Sequence, residues 1–261
     1  LGELSGAWNF RDVAEATGVR PGRFFRSSEL SRLDDGGREL LRRLGITDVA
    51  DLRSPREVER QGPGAVPAGV EVHLLPFPDV SAVDGEAPHE ATFQKMMSEK
   101  PDNEDVAVAA ARFMTEEYRR FPTLGGARRA VRQVISLLAD ERPVITHCFA
   151  GKDRTGFTVA TVLEAVGVDR DAILADFLRS NDAVPQLRER ILQSVRDRSE
   201  TPEVVTFAEA RLTDEVLGVR EDYLDATRRS IEENYGGVRG YLEAAGVTAE
   251  DIARLREVLL G

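Results

Sequence analysis

Cysteine, histidine and lysine are all scarce in this sequence. Among 261 residues there is one cysteine, Cys148, with three histidines and three lysines. A single cysteine excludes an internal disulfide framework, and so few histidines offer no ligand spacing typical of structural zinc sites, so we expect neither a metal nor a cofactor. No apolar run approaches the length that crosses a bilayer, and residues 1–10 lack the pattern of a secretory signal. We therefore expect no transmembrane segment and no signal-dependent export.

The net charge of the chain limits the kinds of molecule that it is expected to bind. The net charge is −11, which argues against nucleic acid, because a phosphate backbone demands clustered positive charge. The hydrophobic fraction of 41% is that of an ordinary globular protein and is sufficient for a sizeable core. Most of the positive charge is arginine, yet one of the three lysines, Lys152, lies four residues after the cysteine.

The periodicity of apolar residues predicts an α/β protein with a helical C-terminal half. Short runs with β-type composition alternate with stretches of helical periodicity, and beyond residue 168 only helices are predicted. No linker or repeat divides the chain, so we predict a single domain over 1–261, with a polar, acidic surface insertion at 81–105. The predicted strands are 24–28, 46–53, 70–74 and 144–147. The predicted helices before residue 168 are about 34–44, 106–114, 127–138 and 158–166.

The lone cysteine lies in the ten-residue stretch H-C-F-A-G-K-D-R-T-G, which starts at His147. A buried strand precedes it, Gly151 lets the backbone curl, and a helix follows whose N-terminus favours an anion. Arg154, six residues after Cys148, provides a planar fork for two phosphoryl oxygens. A free thiol has a pKa of about 8.5, which such surroundings lower to roughly 3.5–7.5. The stretch therefore predicts a phosphate pocket in which a thiolate attacks phosphorus and forms a phosphocysteine.

Other interpretations of this stretch are weaker. A lone buried cysteine is often only a small core residue. A nucleotide-binding P-loop would need Ser or Thr after the lysine, where this chain has Asp153. Arsenate reduction uses a similar loop but normally needs further cysteines. A catalytically dead phosphate-binding module is disfavoured because Cys148, Arg154 and candidate acids are all present.

At these residues the chain resembles the cysteine-dependent phosphatases, whose signature is C-x5-R-[ST], and more closely an atypical bacterial group of tyrosine phosphatases. The resemblance extends to residues 7–13, 25–30, 51–53, 76–79, 179–182 and 235–242. It implies a mostly parallel central sheet flanked by helices and a helical lid at about 201–219. It also implies broad activity on phosphotyrosine, phosphoserine or phosphothreonine and phosphoinositides, with a phosphoinositide phosphatase as the alternative. A virulence role, and residence in the producing cytoplasm or secretion without a signal peptide, follow from the same resemblance.

Two aspartates compete for the general acid that protonates the leaving phenol. Asp79 follows a strand on a proline-bearing loop, the kind of position from which related phosphatases supply their acid. Asp153 lies within the loop itself and is certain to be near the phosphate. A turn residue at Asp79, or an electrostatic partner of Lys152 or Arg154 at Asp153, are the structural alternatives. We predict proton transfer from one of the two.

The remaining candidates bind phosphate or substrate. The phosphate loop, defined as residues 148–155, would bind the anion through Phe149, Ala150, Gly151, Lys152 and Thr155. Lys152 would attract multiply phosphorylated substrates or be a solvated charge. Arg56 would bind a second anionic group or lie on a surface helix, and Phe77 and Phe149 would wall an aromatic slot or belong to the core. We expect His147 to bond to the loop backbone and Thr155 to hydrogen-bond the sulfur or simply begin the helix.

Overall fold

The computed structural model describes residues 2–77, 105–198 and 202–261. Its centre is a five-stranded sheet in the order β1-β2-β5-β3-β4. The strands are β1 (Arg11–Asp12), β2 (Phe24–Ser27), β3 (Asp48–Asp51), β4 (Glu71–Leu74) and β5 (Val144–His147). β2, β5, β3 and β4 are mutually parallel, and only the two-residue β1 pairs antiparallel, with β2. The four predicted strands and the mostly parallel sheet are therefore confirmed, whereas β1 was not predicted.

Helices account for most of the rest of the described chain. Those before the phosphate loop are α1 (Ala14–Thr17), α2 (Asp35–Arg43), α3 (Pro55–Gln61), α4 (Val106–Arg120) and α5 (Gly125–Ala139). Those after it are α6 (Asp153–Val166), α7 (Arg170–Leu178), α8 (Val184–Arg198), α9 (Pro202–Arg211), α10 (Asp214–Leu217), α11 (Glu221–Tyr235), α12 (Val238–Ala245) and α13 (Ala249–Leu259). Single turns of 3₁₀ helix follow α4 and α7, at Phe121–Thr123 and Arg179–Ala183. None of the described helices is long and apolar enough to cross a membrane.

Side chains of the central strands point alternately to the two faces of the sheet, and both faces are buried. Phe24, Ala50 and Val144 belong to the large apolar cluster that α5, α6 and the C-terminal helices cover. Their neighbours Phe25 and Val49 point to the opposite face, into a smaller cluster with residues of α2. Parallel strands covered on both faces are expected to be apolar throughout, as these are.

Capping residues fix several helix ends as the sequence indicates. Thr248 and Asp251 form a capping box at the start of α13, and Gly167 ends α6 in the left-handed conformation. The helix after the phosphate loop, however, begins at Asp153 and not near residue 158. Residues 153–155 therefore belong both to the loop and to the first helical turn.

The edge strand β4 exposes both of its apolar side chains. Its alternating residues Val72 and Leu74 are 43% and 44% exposed in the described part of the chain. The insertion predicted at 81–105 lies outside the described residues except for Asp105, which caps the N-terminus of α4.

The order of the strands decides where the chemistry lies. β5 is the middle strand, and its last residue, His147, is in register with Ser27 at the end of β2 and with Asp51 at the end of β3. The segments that follow all three strands therefore meet at one edge of the sheet. Ligands of open parallel sheets bind at this carboxyl edge.

Candidate active site

Cys148 is the first residue after β5 and is 2% exposed. The loop then turns through Gly151, whose φ is +68°, a conformation that favours glycine. A Cβ at this position would collide with the carbonyl oxygen of Ser27. The sequence therefore needs glycine here both for the turn and for its close approach to β2.

Two side chains from outside the loop hold its carbonyl groups. Asn9 Nδ2 donates to the carbonyl oxygens of Ala150 (3.1 Å) and Gly151 (3.0 Å), and Arg26 Nη2 donates to Gly151 O (2.8 Å). When hydrogen bonds hold the carbonyl groups of consecutive peptides on one side of a loop, the N–H groups point to the other side and form an anion-binding nest. Asn9 and Arg26 thus stabilise the curl that a phosphate needs.

A buried ion network fixes Arg26 in turn. Asp176 on α7 accepts from Arg26 Nη1 (2.6 Å) and from Arg11 Nε (2.7 Å), and both guanidinium groups reach Ser180 Oγ at 3.2 Å. Burial raises the pKa of Asp176, but the two arginines outweigh it and the pKa lies below its usual value. Burial and the charge of Arg26 lower the pKa of Arg11 to about 10. Asp176 and Arg11 are therefore both charged at neutral pH.

Arg154 is held by a carboxylate that sequence reasoning missed. Its Nη1 and Nη2 donate to Glu57 Oε2 and Oε1, both at 2.7 Å, and Nη1 also reaches Leu52 O at 3.2 Å. Glu57 is the third residue of α3, where it also accepts from the backbone N–H of Ser54 in a capping box. The S-P-x-E pattern directly after β3 was the available signal.

The charge state of Arg154 follows from this pairing. Burial lowers the pKa of the guanidinium, but Glu57 outweighs it and the pKa lies above its usual value. Arg154 Nε is buried and has no acceptor in the described part of the chain. A fixed, permanently charged fork thus retains its Nε–H and the second N–H of Nη2 as donors for phosphoryl oxygens.

Replacing Glu57 by Gln is expected to lower kcat/KM about 10- to 100-fold, by analogy with the loss of a carboxylate that orients a metal ligand. The amide keeps the shape but can accept only once from the arginine fork. Steady-state kinetics with an aryl phosphate measure the effect. Glu59→Gln, at an exposed position of the same helix, is the matched control, and equal losses in both variants would contradict the role of Glu57.

The predictions for His147 and Thr155 have different outcomes. His147 Nδ1 lies 3.1 Å from Cys148 O, the predicted bond to the loop backbone. Burial lowers the pKa of His147, although Asp51 opposes this, so the ring is neutral at neutral pH. Of the two alternatives predicted for Thr155, the structure does not show the hydrogen bond to the sulfur, because its buried hydroxyl has no partner among the described residues. Thr155 lies in the first turn of α6 instead.

Asp153 and Lys152 are bonded to each other and are buried, 6% and 5% exposed. Lys152 Nζ donates to Asp153 Oδ1 at 2.8 Å and to Gly218 O, just after α10, at 3.2 Å. Tyr118 from α4 donates its hydroxyl to the same Oδ1 at 2.8 Å. Lys152 is therefore not the solvated surface charge that was one of its two predicted states.

Helices α8, α9 and α10 cover the phosphate loop. Ala150 and Phe149 pack into an apolar cluster whose other members come from these helices. Phe149 also meets Trp8 edge to face, with ring centroids 6.0 Å apart. The cluster consists of Ala150, Leu187, Leu192, Ala208, Leu212 and Leu217, with Phe149, Val184, Ile191 and Val195 partly buried against it. In this arrangement the loop is shielded from solvent.

Of the other predicted site residues, Arg56 and Phe77 lie in the described part of the chain. Arg56 is exposed on α3. Phe77 is fully buried and packs edge to face on Phe121 and Phe157, which favours its alternative as a core residue. Asp79 lies outside the described residues. Its role as acid therefore stays a prediction.

A separate cluster at the opposite end of the sheet was not visible in the sequence spacing. Asp48, Glu71 and His73 bring one ligand atom each within 4.8 Å of one another. Arg142 already pairs with Asp48 (2.7 Å) and Glu71 (2.9 Å), and His73 bonds to Asp48 at 2.7 Å. These carboxylates are thus neutralised by protein groups.

Comparison with known proteins shows which family the chain belongs to. The model of the tyrosine phosphatase family matches residues 2–261. The chain is 61% identical to the triple specificity protein phosphatase PtpB of Mycobacterium tuberculosis, over 99% of both chains. It is 32% identical to a protein of Cupriavidus necator, over 98% of this chain and 82% of the other. A tyrosine-protein phosphatase of Nostoc commune is 26% identical, over 94% and 76%. With a signature loop at the carboxyl edge of its parallel sheet, the chain belongs to the tyrosine phosphatase family.

Proposed function

We propose that this protein is a tyrosine phosphatase of broad specificity that hydrolyses phosphate monoesters through a phosphocysteine on Cys148. The observation that carries the proposal is the convergence of Cys148, the loop amides and the Glu57-bound fork of Arg154 at the N-terminus of α6. A preorganised set of donors around the equatorial oxygens stabilises the charge of the transferring phosphoryl group.

The reaction has two steps. The Cys148 thiolate attacks phosphorus in line with the ester oxygen, so the P–S bond forms as the P–O bond breaks, and the acid gives its proton to the leaving oxygen. Water then attacks the phosphocysteine, the P–S bond breaks, and inorganic phosphate and the thiolate are released. The carboxylate formed in the first step takes the proton of the attacking water.

Substrate entry requires movement of α8–α10. Cys148 and Arg154 are each 2% exposed beneath these helices, so a phosphorylated side chain cannot reach the sulfur in this arrangement. The stretch 201–219, which contains α9 and α10, therefore acts as part of a lid. The contact of Lys152 with Gly218 O must break when this lid opens.

Broad specificity is supported by the name of the M. tuberculosis relative, a triple specificity phosphatase, and by the lysine inside the loop. Freed from Gly218, Lys152 adds positive charge beside the phosphate pocket, which suits phosphoinositides with additional phosphates. A panel of phosphotyrosine peptide, phosphoserine peptide and phosphoinositide vesicles tests this, with Cys148→Ser as the blank. Turnover confined to phosphoinositides would favour the alternative of a lipid phosphatase. Export without a signal peptide and a role in virulence stay predictions from the resemblance.

The general acid is tested by Asp79→Asn and Asp153→Asn. Loss of the acid should lower kcat/KM for phenyl phosphate by roughly 10²- to 10⁴-fold, because a poor leaving group needs the proton. We expect the larger loss in whichever variant removes the acid, together with loss of the alkaline limb of its pH profile. If neither substitution changes the rate or the profile, both assignments are wrong.

A further inference from the structure

Tyr118, on α4, bonds to the carboxylate of Asp153 in the phosphate loop. Its hydroxyl donates to Asp153 Oδ1 at 2.8 Å, and the residue is fully buried. The ring packs on Phe121, Phe177 and Tyr223, so its position is set by the core rather than by the loop. A rigid donor that does not depend on the loop can fix the carboxylate's rotamer.

The hydroxyl of Tyr118 is neutral and remains a donor. Burial raises its pKa well above the usual value, and the electrostatic interactions with Asp153 and Cys148 and the hydrogen bond to Asp153 raise it further. Tyr118 therefore cannot take the proton from Asp153 at neutral pH. It directs Oδ1 while leaving the second carboxylate oxygen to other groups.

A simpler explanation of the hydrogen bond from Tyr118 to Asp153 is that any buried tyrosine hydroxyl needs an acceptor. Another tyrosine of the same apolar cluster argues against this explanation. Tyr241 is also fully buried, and its hydroxyl has no partner in the described part of the chain. The core thus tolerates an unpartnered phenol, so the contact of Tyr118 with Asp153 is not required for burial. Tyr241 also provides a matched control.

From these contacts we propose that Tyr118 is a positioning residue that holds Asp153 for proton transfer to the leaving group. The inference rests on the proposed phosphatase function and on Asp153 as its acid. When the lid opens and Lys152 leaves Asp153 for the substrate, the bond from Tyr118 remains and keeps the carboxyl group directed at the leaving oxygen. Among the described residues, the charged or titratable groups that interact with Asp153 include Lys152, Arg154, Glu117, Tyr118 and Tyr223.

The test compares two substrates that differ in their need for a proton. For phenyl phosphate, Tyr118→Phe is expected to lower kcat/KM about 10-fold, a fraction of the 10²–10⁴ that an acid supplies. For 2,4-dinitrophenyl phosphate, whose leaving group departs as an anion, the change should be less than about 2-fold because no proton is required. Asp153→Asn should show the same selectivity more strongly, and Tyr241→Phe should match the wild type on both substrates.

The pH dependence of kcat/KM is a second measurement, which separates a positioning role from a loss of activity caused only by a structural change. The alkaline limb of kcat/KM for phenyl phosphate should move to higher pH in Tyr118→Phe, because a carboxylate that loses a donor holds its proton more tightly. Equal losses on both substrates with an unmoved limb, or no loss on either, would overturn the inference. If Asp153→Asn does not discriminate between the substrates, the inference also falls, while turnover by the wild type leaves the phosphatase function standing.

Discussion

Cys148→Ser is expected to lower phosphatase turnover by roughly 10⁴- to 10⁶-fold, the range seen when a covalent nucleophile is removed. A serine hydroxyl is nearly isosteric with the thiol but is not ionised at neutral pH, so no nucleophile faces the phosphorus. The buried position after β5 accepts serine because the substitution makes the side chain only slightly smaller. We therefore expect the circular dichroism spectrum and the binding of inorganic phosphate to be retained.

The comparison that matters for this variant is between binding and turnover. Isothermal titration with inorganic phosphate measures the first, and release of phosphate from an aryl phosphate measures the second. A Cys148→Ser protein with turnover close to that of the wild type would contradict the role of the sulfur. A protein that loses phosphate binding as well would show that the cysteine also supports the loop.

Arg154→Lys is expected to lower kcat about 10³- to 10⁵-fold, the effect of removing an arginine that stabilises a transferring phosphoryl group. Lysine keeps the charge but cannot occupy both oxygens of Glu57 and also reach a phosphoryl oxygen as a planar fork. The pair with Glu57 is almost wholly buried, with side chains 2% and 3% exposed. Some loss of stability is therefore expected beside the loss of rate.

Two controls separate these effects for Arg154. Thermal unfolding reports the change in stability, and kinetics are measured well below the midpoint. Arg119→Lys alters an exposed arginine that pairs with an equally exposed glutamate and should leave both quantities unchanged. A kcat for Arg154→Lys within about 10-fold of the wild type would fall short of the expected effect and contradict the assignment.

Features specified by neighbouring residues could be predicted from the sequence. The strand before Cys148, the turn at Gly151 and the helix after it depend on local composition, so the loop was located to the residue. The start of α6 was misplaced because the loop itself supplies the first helical turn. β1 escaped prediction because two residues carry no periodicity.

Features that depend on distant residues could not be predicted. Glu57 is 97 positions from Arg154, Arg26 is 125 from Gly151, and Tyr118 is 35 from Asp153. The stretches around Asn9, Arg26 and Ser180 were noted only for their resemblance, and the structure gives them a common place behind the phosphate loop. Phe77 shows the converse, because an aromatic residue near a candidate loop can equally belong to the core.

The central claim is a covalent phosphocysteine, and rapid quenching tests it most directly. The enzyme is mixed with an aryl phosphate, quenched within milliseconds by a denaturing detergent at mildly alkaline pH, where the P–S bond persists, digested and analysed by mass spectrometry. We expect one phosphoryl group on the peptide that contains Cys148, formed at the rate of the initial burst of phenol and absent from Cys148→Ser. Full turnover with no phosphorylated Cys148 peptide at any time, or with the phosphoryl group on another residue, would contradict the account.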